Sequence, residues 1–208
     1  MIKGYDIYSL GIMLALISFL GFLLENLWLA ATKGFVDNRN MRLPFLMGYG
    51  VLVTGMYLLL GTPENMLLWG EVPVTASKGE KFIIYFLCSF AIVTAGELIL
   101  GHLMEKLCGF EYWNYERLPL HITKYTSVPT SIGFALIITS FMGASFEPIM
   151  EIITLINPED IKSVSIILIA VMTADLIASF IKMHKTHGLN VRWTIYIKRD
   201  PEKLFHKA

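Results

Sequence analysis

Thr94 to Tyr115 reads TAGELILGHLMEKLCGFEYWNY. The stretch opens inside an apolar segment and closes in an aromatic, charged elbow. Glu97, His102 and Glu105 sit where a membrane-spanning helix ordinarily carries no ionisable group. At 3.6 residues per turn, Glu97, Gly101 and Glu105 fall at i, i+4 and i+8 and share one face. Two carboxylates beside a glycine on a lipid-soluble helix cost on the order of several kcal/mol unless that stripe meets protein or water. The stripe therefore predicts a cover. The acids are then either interhelical hydrogen-bond partners or working groups, since intramembrane acids are functional candidates by default.

Working outward, the composition places the rest of the chain in the same medium. Of 208 residues 55% are hydrophobic and only 16% are charged, against roughly 25% charged in soluble domains. The chain reads as an all-α integral membrane protein, a bundle of about five transmembrane helices with an interfacial aromatic elbow. Spans are expected at about 8–29, 44–61, 80–106, 127–146 and 161–183, in one domain over 1–183, followed by a basic tail over 184–208. The first segment has too long an apolar run for a signal-peptide core and reads as a retained helix. Gly11, Ser18, Gly21 and Glu25 follow one of its stripes, which suits close helix approach and puts Glu25 in a packed interface. The second segment, with Gly48, Gly50 and Gly55, suits close packing rather than lipid contact. Cys108 to Thr126 is too polar to span and is expected at the interface, or partly re-entrant where protein covers it. Trp113 and Tyr115 are its expected interfacial anchors. Val191, Trp193, Ile195 and Ile197 alternate with other residues and suggest a short strand or interfacial ribbon.

Lys and Arg set the orientation. Thirteen of the seventeen fall in the first connector, in the elbow with Lys106 just before it, and in the tail counted from Lys182, which five spans place on one side. That bias puts the N-terminus outside and the C-terminus in the cytoplasm. It also gathers Glu25, Glu97, Glu105 and Asp175 in the cytoplasmic part of the bundle, with Arg39 the best-placed cation. These five residues are the candidate substrate- or ion-binding set, and Trp113, Asn114, Tyr115 and Arg117 mark the elbow.

Such a set can bind a cation, relay a proton or hold a gate closed. Catalysis is less well served. Glu97 and Glu105 lie about 12 Å apart along a helix axis, too far for a tight acid–base pair, and no catalytic residue is assigned. His184 and His187 have an i, i+3 spacing but lack further ligands, so no metal and no cofactor is expected. No G-x-x-x-x-G-K-[ST] loop is present, so nucleotide hydrolysis would need another subunit. Beside a membrane helix the basic tail marks anionic lipid rather than nucleic acid. Cys88 and Cys108 are twenty residues apart on one expected helix, about 30 Å, too far for a disulfide.

Gly21-x-x-x-Glu25, Asn38-Arg39, Pro44 through Tyr49-Gly50, Glu97 with Gly101 and Glu105, and Gly109-x-x-x-Trp113-Asn114-Tyr115 occur in this order. Over roughly residues 4 to 150 the chain resembles the bacterial family called putative ABC-transporter type IV, small permease-like membrane proteins. The family's Asn-Arg-Gly-Phe stretch has Asn40 in place of its glycine here, and its Trp-Asp-Tyr-Ser reads Trp113-Asn114-Tyr115-Glu116. His121 and Tyr125 stand where the family carries Asn and Arg. The resemblance implies a permease component in a bacterial plasma membrane, working with a separate ATPase subunit or as a homo-oligomer. Two alternatives stand beside it: an intramembrane enzyme acting on a lipid-like substrate, and an accessory subunit that does not transport.

Overall fold

A computed structural model describes residues 4–197; Lys3, Lys198, Arg199 and the remainder of the basic tail lie outside the described residues. The described chain contains six helices: α1 (Ile7–Lys33), α2 (Met47–Leu60), α3 (Lys78–Cys108), α4 (Val128–Ala144), α5 (Phe146–Thr154) and α6 (Pro158–Thr186). Six short strands form three separate antiparallel pairs: β1 (Phe35–Asp37) with β6 (Thr194–Tyr196), β2 (Leu67–Leu68) with β3 (Val72–Pro73), and β4 (His121–Thr123) with β5 (Thr126–Ser127).

Local signals set the helix limits. The Asp6 carboxylate accepts from the backbone N–H groups of Tyr8 and Ser9 at 2.9 and 3.1 Å, opening α1. Gly34, at φ 75°, closes it in a conformation other residues adopt with strain. Capping boxes start α3 at Ser77 with Glu80 and α4 at Ser127 with Thr130. Caps of this kind contribute about 1 kcal/mol each.

Three helices, α1, α3 and α6, are long and apolar enough to cross a membrane. A fourth span is met if α4 and α5 are taken together, although they bend by 46° at Ser145. The segment expected over 44–61 is shorter than predicted. At 14 residues α2 is about 21 Å long, against about 30 Å of bilayer hydrocarbon. Its start is delayed because the preceding backbone is already committed. Asp175 accepts the N–H groups of Arg42 and Leu43, and Leu46 N–H donates to the Ser18 carbonyl at 2.9 Å.

Helix α1 is the hub, packing on α2, α5 and α6, while α3 packs on α4 and α6. The small-residue stripe of α1 works as its sequence suggests. A Cβ at Gly21 would overlap the Tyr49 ring, and one at Gly11 would overlap Ser165. At one end of the bundle Tyr57 stacks on Phe146, with ring centroids 4.5 Å apart, above buried Tyr85, Met142 and Met150.

At the other end the first connector, the elbow and the described part of the tail converge. Asn190 ties the tail to the connector: its N–H donates to Asn40 Oδ1 at 2.8 Å and its side-chain amide to Asn40 O at 2.9 Å. The expected tail ribbon is β6, paired residue for residue with β1. Tyr112 Oη donates to Arg39 O at 3.0 Å, and His184 and His187 meet the last carbonyls of α3, those of Leu107 and Cys108.

Candidate functional site

The connector after α1 turns back on itself through Arg39 and Asn40, at φ 45° and 64°, a left-handed pair that returns the Arg39 side chain toward α1. There Arg39 Nη2 meets Glu25 Oε2 at 3.0 Å, and Nη1 lies 3.7 Å from Asp37 Oδ1. Glu25 is engaged from its other oxygen by the Tyr49 hydroxyl at 2.5 Å. Helix α2 supplies Tyr49 at this depth because its ring packs against Gly21, one turn before Glu25 on α1. Arg39 is largely buried, and its Nε has no partner.

The α3 stripe is covered, and the cover is the end of the elbow. Tyr125 packs on Gly101, and its hydroxyl donates to Glu105. Thr126 Oγ1 donates to Glu97 Oε2 at 2.6 Å, with Ser131 Oγ 3.4 Å from the same oxygen. Glu97 lies eleven residues before Cys108, about 16 Å along α3, so the elbow folds back alongside the helix well beyond its end.

Tyr115 joins the two halves. Its hydroxyl sits in the fields of Glu97, Glu25 and Arg39. Burial foremost, and then the charges of Glu97 and Glu25, push its phenol well above the ordinary value, which keeps it protonated and a donor. Tyr112 is also raised, chiefly by burial. The result is one polar network drawn from α1, the first connector, α2, α3 and the elbow. It contains three carboxylates, Glu25, Asp37 and Glu97, and one guanidinium, Arg39.

Glu25, Arg39 and Glu97 of the candidate set are therefore brought together, and two others are not. Glu105 turns to Lys124, whose Nζ lies 2.9 Å from both Glu105 Oε1 and Glu111 Oε1. Asp175 is occupied with the backbone, accepting from Arg42 at 3.0 Å and Leu43 at 2.8 Å, with the Ser179 hydroxyl 3.3 Å away. In the elbow, Trp113 Nε1 donates to Tyr125 O at 2.7 Å, Asn114 accepts from Glu116 N–H at 2.8 Å, and Arg117 is exposed. Tyr115 is half-buried. Sequence reasoning missed Tyr49, Asp37, Tyr112 and Thr126 as members. Tyr49 alone was signalled, as the tyrosine of the Tyr49-Gly50 pair.

Five stretches that carry the family resemblance thus meet in space: Glu25, Arg39, Tyr49, Glu97 and Tyr115 touch one another or share one field. Comparison with known proteins agrees. The family model described as Putative ABC-transporter type IV matches residues 12–180. The chain belongs to that family. No curated protein and no solved structure matches it. Membership in the putative ABC-transporter type IV family and the run of apolar helices make the chain a transporter-type membrane protein.

Proposed function

We propose that this protein is the membrane-embedded component of an ABC-type transport assembly, and that the Glu25–Arg39–Tyr49–Tyr115–Glu97 network handles a small solute or ion near the cytoplasmic end. A separate ATPase subunit supplies nucleotide hydrolysis, because the sequence carries no phosphate-binding loop. The single observation behind this reading is the charge balance of the network: Arg39 pairs with both Glu25 and Asp37, and Glu97, in the field of Glu25, is met by hydroxyls rather than by a cation. An excess of negative charge in a partly desolvated site favours a cation or a proton over an anion. Glu25, whose two oxygens are held by Arg39 and Tyr49, and Glu97, held by two hydroxyls from the elbow and α4, are the groups on which binding would act. Glu105 and Asp175 are retained in the proposal only as supports of the elbow and the connector.

The domain division belongs to the same reading: a transmembrane unit over 1–183 and a basic cytoplasmic tail from 184. The N-terminus lies outside, and the membrane is a bacterial plasma membrane. A second reading, an intramembrane enzyme acting on a lipid-like substrate, draws on an apolar cleft between α1, α2 and α4. It lacks a paired acid and base, since Glu97 and Glu105 each have their own partners.

The test is purification of the assembly from its native membrane. A stoichiometric ATPase subunit is expected, whose hydrolysis responds to the embedded chain. Glu25→Gln and Glu97→Gln keep shape and most hydrogen bonds but cannot ionise, so each should abolish coupled hydrolysis while shifting the thermal midpoint by only a few degrees. If both variants either unfold or hydrolyse normally, the carboxylates are packing elements and the proposal is lost.

A further inference from the structure

The apolar cleft shares the Tyr49 side chain with the carboxylate network: the ring lines the cleft and the hydroxyl reaches Glu25. It is lined along α1 from Ile17 to Ala30, by Tyr49 and Val53 of α2, and by Phe134, Ile137, Ile138 and Phe141 of α4. The α4 residues fall at i, i+3, i+4 and i+7, one continuous stripe. Helices α1 and α2 pack closely, as do α3 and α4, and the cleft is the gap left between these two pairs. Tyr49 bridges it, with its ring 6.0 Å from that of Phe134.

The shape and chemistry of the gap select its occupant. The thirteen helical rises from Ile17 to Ala30 make it about 20 Å long. An open volume of about 590 Å³ spread over that length makes a long groove rather than a compact cavity, a shape that an extended hydrocarbon chain can fill along its whole length. Water is poorly served as well. The one amide in the lining, Asn26, is fully used: its Nδ2 donates to Phe22 O at 3.1 Å and its Oδ1 accepts from Asp37 N–H at 2.8 Å. The Tyr49 hydroxyl is taken by Glu25. A cleft that offers water no partners stays dry or fills with apolar matter. Its rim is open between α1, which is long and apolar enough to cross a membrane, and α4, which is so only together with α5, with Leu27 at 68% and Ile137 at 47% exposure.

We propose that this cleft is a binding site for a single hydrocarbon chain of an amphiphile, reached sideways from the bilayer. The chain lies against α1 and α4 over the Tyr49 ring, and the polar end of the amphiphile sits at the level of Val36, where β1 leaves the bundle. The proposal goes beyond the transport reading and does not depend on it. The chain site would exist whether or not Glu25 and Glu97 handle an ion.

Photolabelling tests it directly. The intact protein is placed in vesicles of phosphatidylcholine containing a small fraction of phosphatidylcholine with a diazirine in one acyl chain. Adducts should concentrate severalfold on Leu20–Ala30 and Phe134–Phe141 over the exposed apolar residues Ile83 and Leu87 of α3 and Ile166 and Ile167 of α6. Ile137→Trp, which fills the cleft, should remove the excess while labelling of α3 and α6 stays the same. Should that variant fail to fold, competition in the unmodified protein decides. Excess unlabelled oleate should displace the cleft adducts and leave the others. A second arm with a diazirine fatty acid in unlabelled vesicles separates a free single-chain amphiphile from bilayer phospholipid as the source; cleft-specific labelling from either supports the site. Adducts spread evenly over all helices, or cleft adducts that oleate does not displace, would overturn it. Glu97→Gln should leave the labelling pattern unchanged, so this result and the transport result can fail separately.

Discussion

Asp175 and Glu97 are both acids inside long apolar helices, yet they hold different kinds of partner. Asp175 accepts backbone N–H groups, which come from a connector more than 130 residues earlier in the chain. Nothing near Asp175 in sequence announces this, so the residue read as one more member of an acidic cluster. Glu97 was more legible because its stripe, with Gly101 and Glu105, required a cover, and Tyr125 and Thr126 supply one. The contrast makes a prediction. Asp175→Ala removes both acceptor oxygens and leaves the N–H groups of Arg42 and Leu43 without their partner. Leaving buried donors unpaired costs about 1–3 kcal/mol, so the thermal midpoint should fall by several degrees. Glu97→Gln, whose partners are hydroxyls that can turn to donate or accept, should move it much less. Equal midpoints for the two variants would show that Asp175 does not hold the connector.

Among the elements, the elbow carries most of what the sequence left open. Its polarity excluded a span, and Gly109, at φ 74°, ends α3 where the apolar pattern stops. The β4–β5 hairpin was not legible, because its bulged two- and three-residue strands lack a run long enough to show alternation. Its fastening is ionic. Lys124 reaches Glu105 on α3 and Glu111 at the start of the elbow. The Glu111 carboxyl is held below its ordinary value by hydrogen bonds from Asn114 first and Lys124 second, and Lys124 is held above its own by hydrogen bonds to Glu105 and then Glu111. A depressed carboxyl contributes stability above its unfolded value of 4.5 and loses it as pH falls through the lower folded value. A raised amine contributes fully below its unfolded value of 10.5 and loses it as pH rises through the higher folded one. Amide protection across residues 109–126, corrected for intrinsic exchange, should therefore be flat between about pH 5 and pH 10 and fall on the acid side. Lys124→Met should lower protection inside that window. A protection profile that Lys124→Met leaves untouched at neutral pH would mean the two ion pairs do not secure the elbow.

At the scale of the molecule, the long apolar helices α1, α3 and α6 and their order were readable because apolar length is a one-dimensional signal, whereas the short α2 and the bend between α4 and α5 depend on tertiary contacts. The gathering of basic segments needed both. Lys33, Arg39 and Arg42 of the first connector, Arg117 and Lys124 of the elbow, and Lys182, Lys185 and Arg192 at the end of α6 and beyond it belong to segments that meet at one end of the bundle, tied by the β1–β6 pairing and the Tyr112–Arg39 bond. The opposite end carries Lys78, Lys81 and Lys162. Lys and Arg within reach of a span are retained on the cytoplasmic side, so the end holding the carboxylate network should face the cytoplasm. A reporter inserted after Gly70, in the β2–β3 turn beside the exposed Trp69, should behave as external. The same reporter after Ala208 should behave as cytoplasmic. Substituting Arg39 or Arg42 singly should not invert this result, because the other basic segments keep the bias. If both reporters report the reverse, the network opens to the outside. Glu25 and Glu97 would then meet solute before the bundle rather than after it, and an ATPase could not dock beside them.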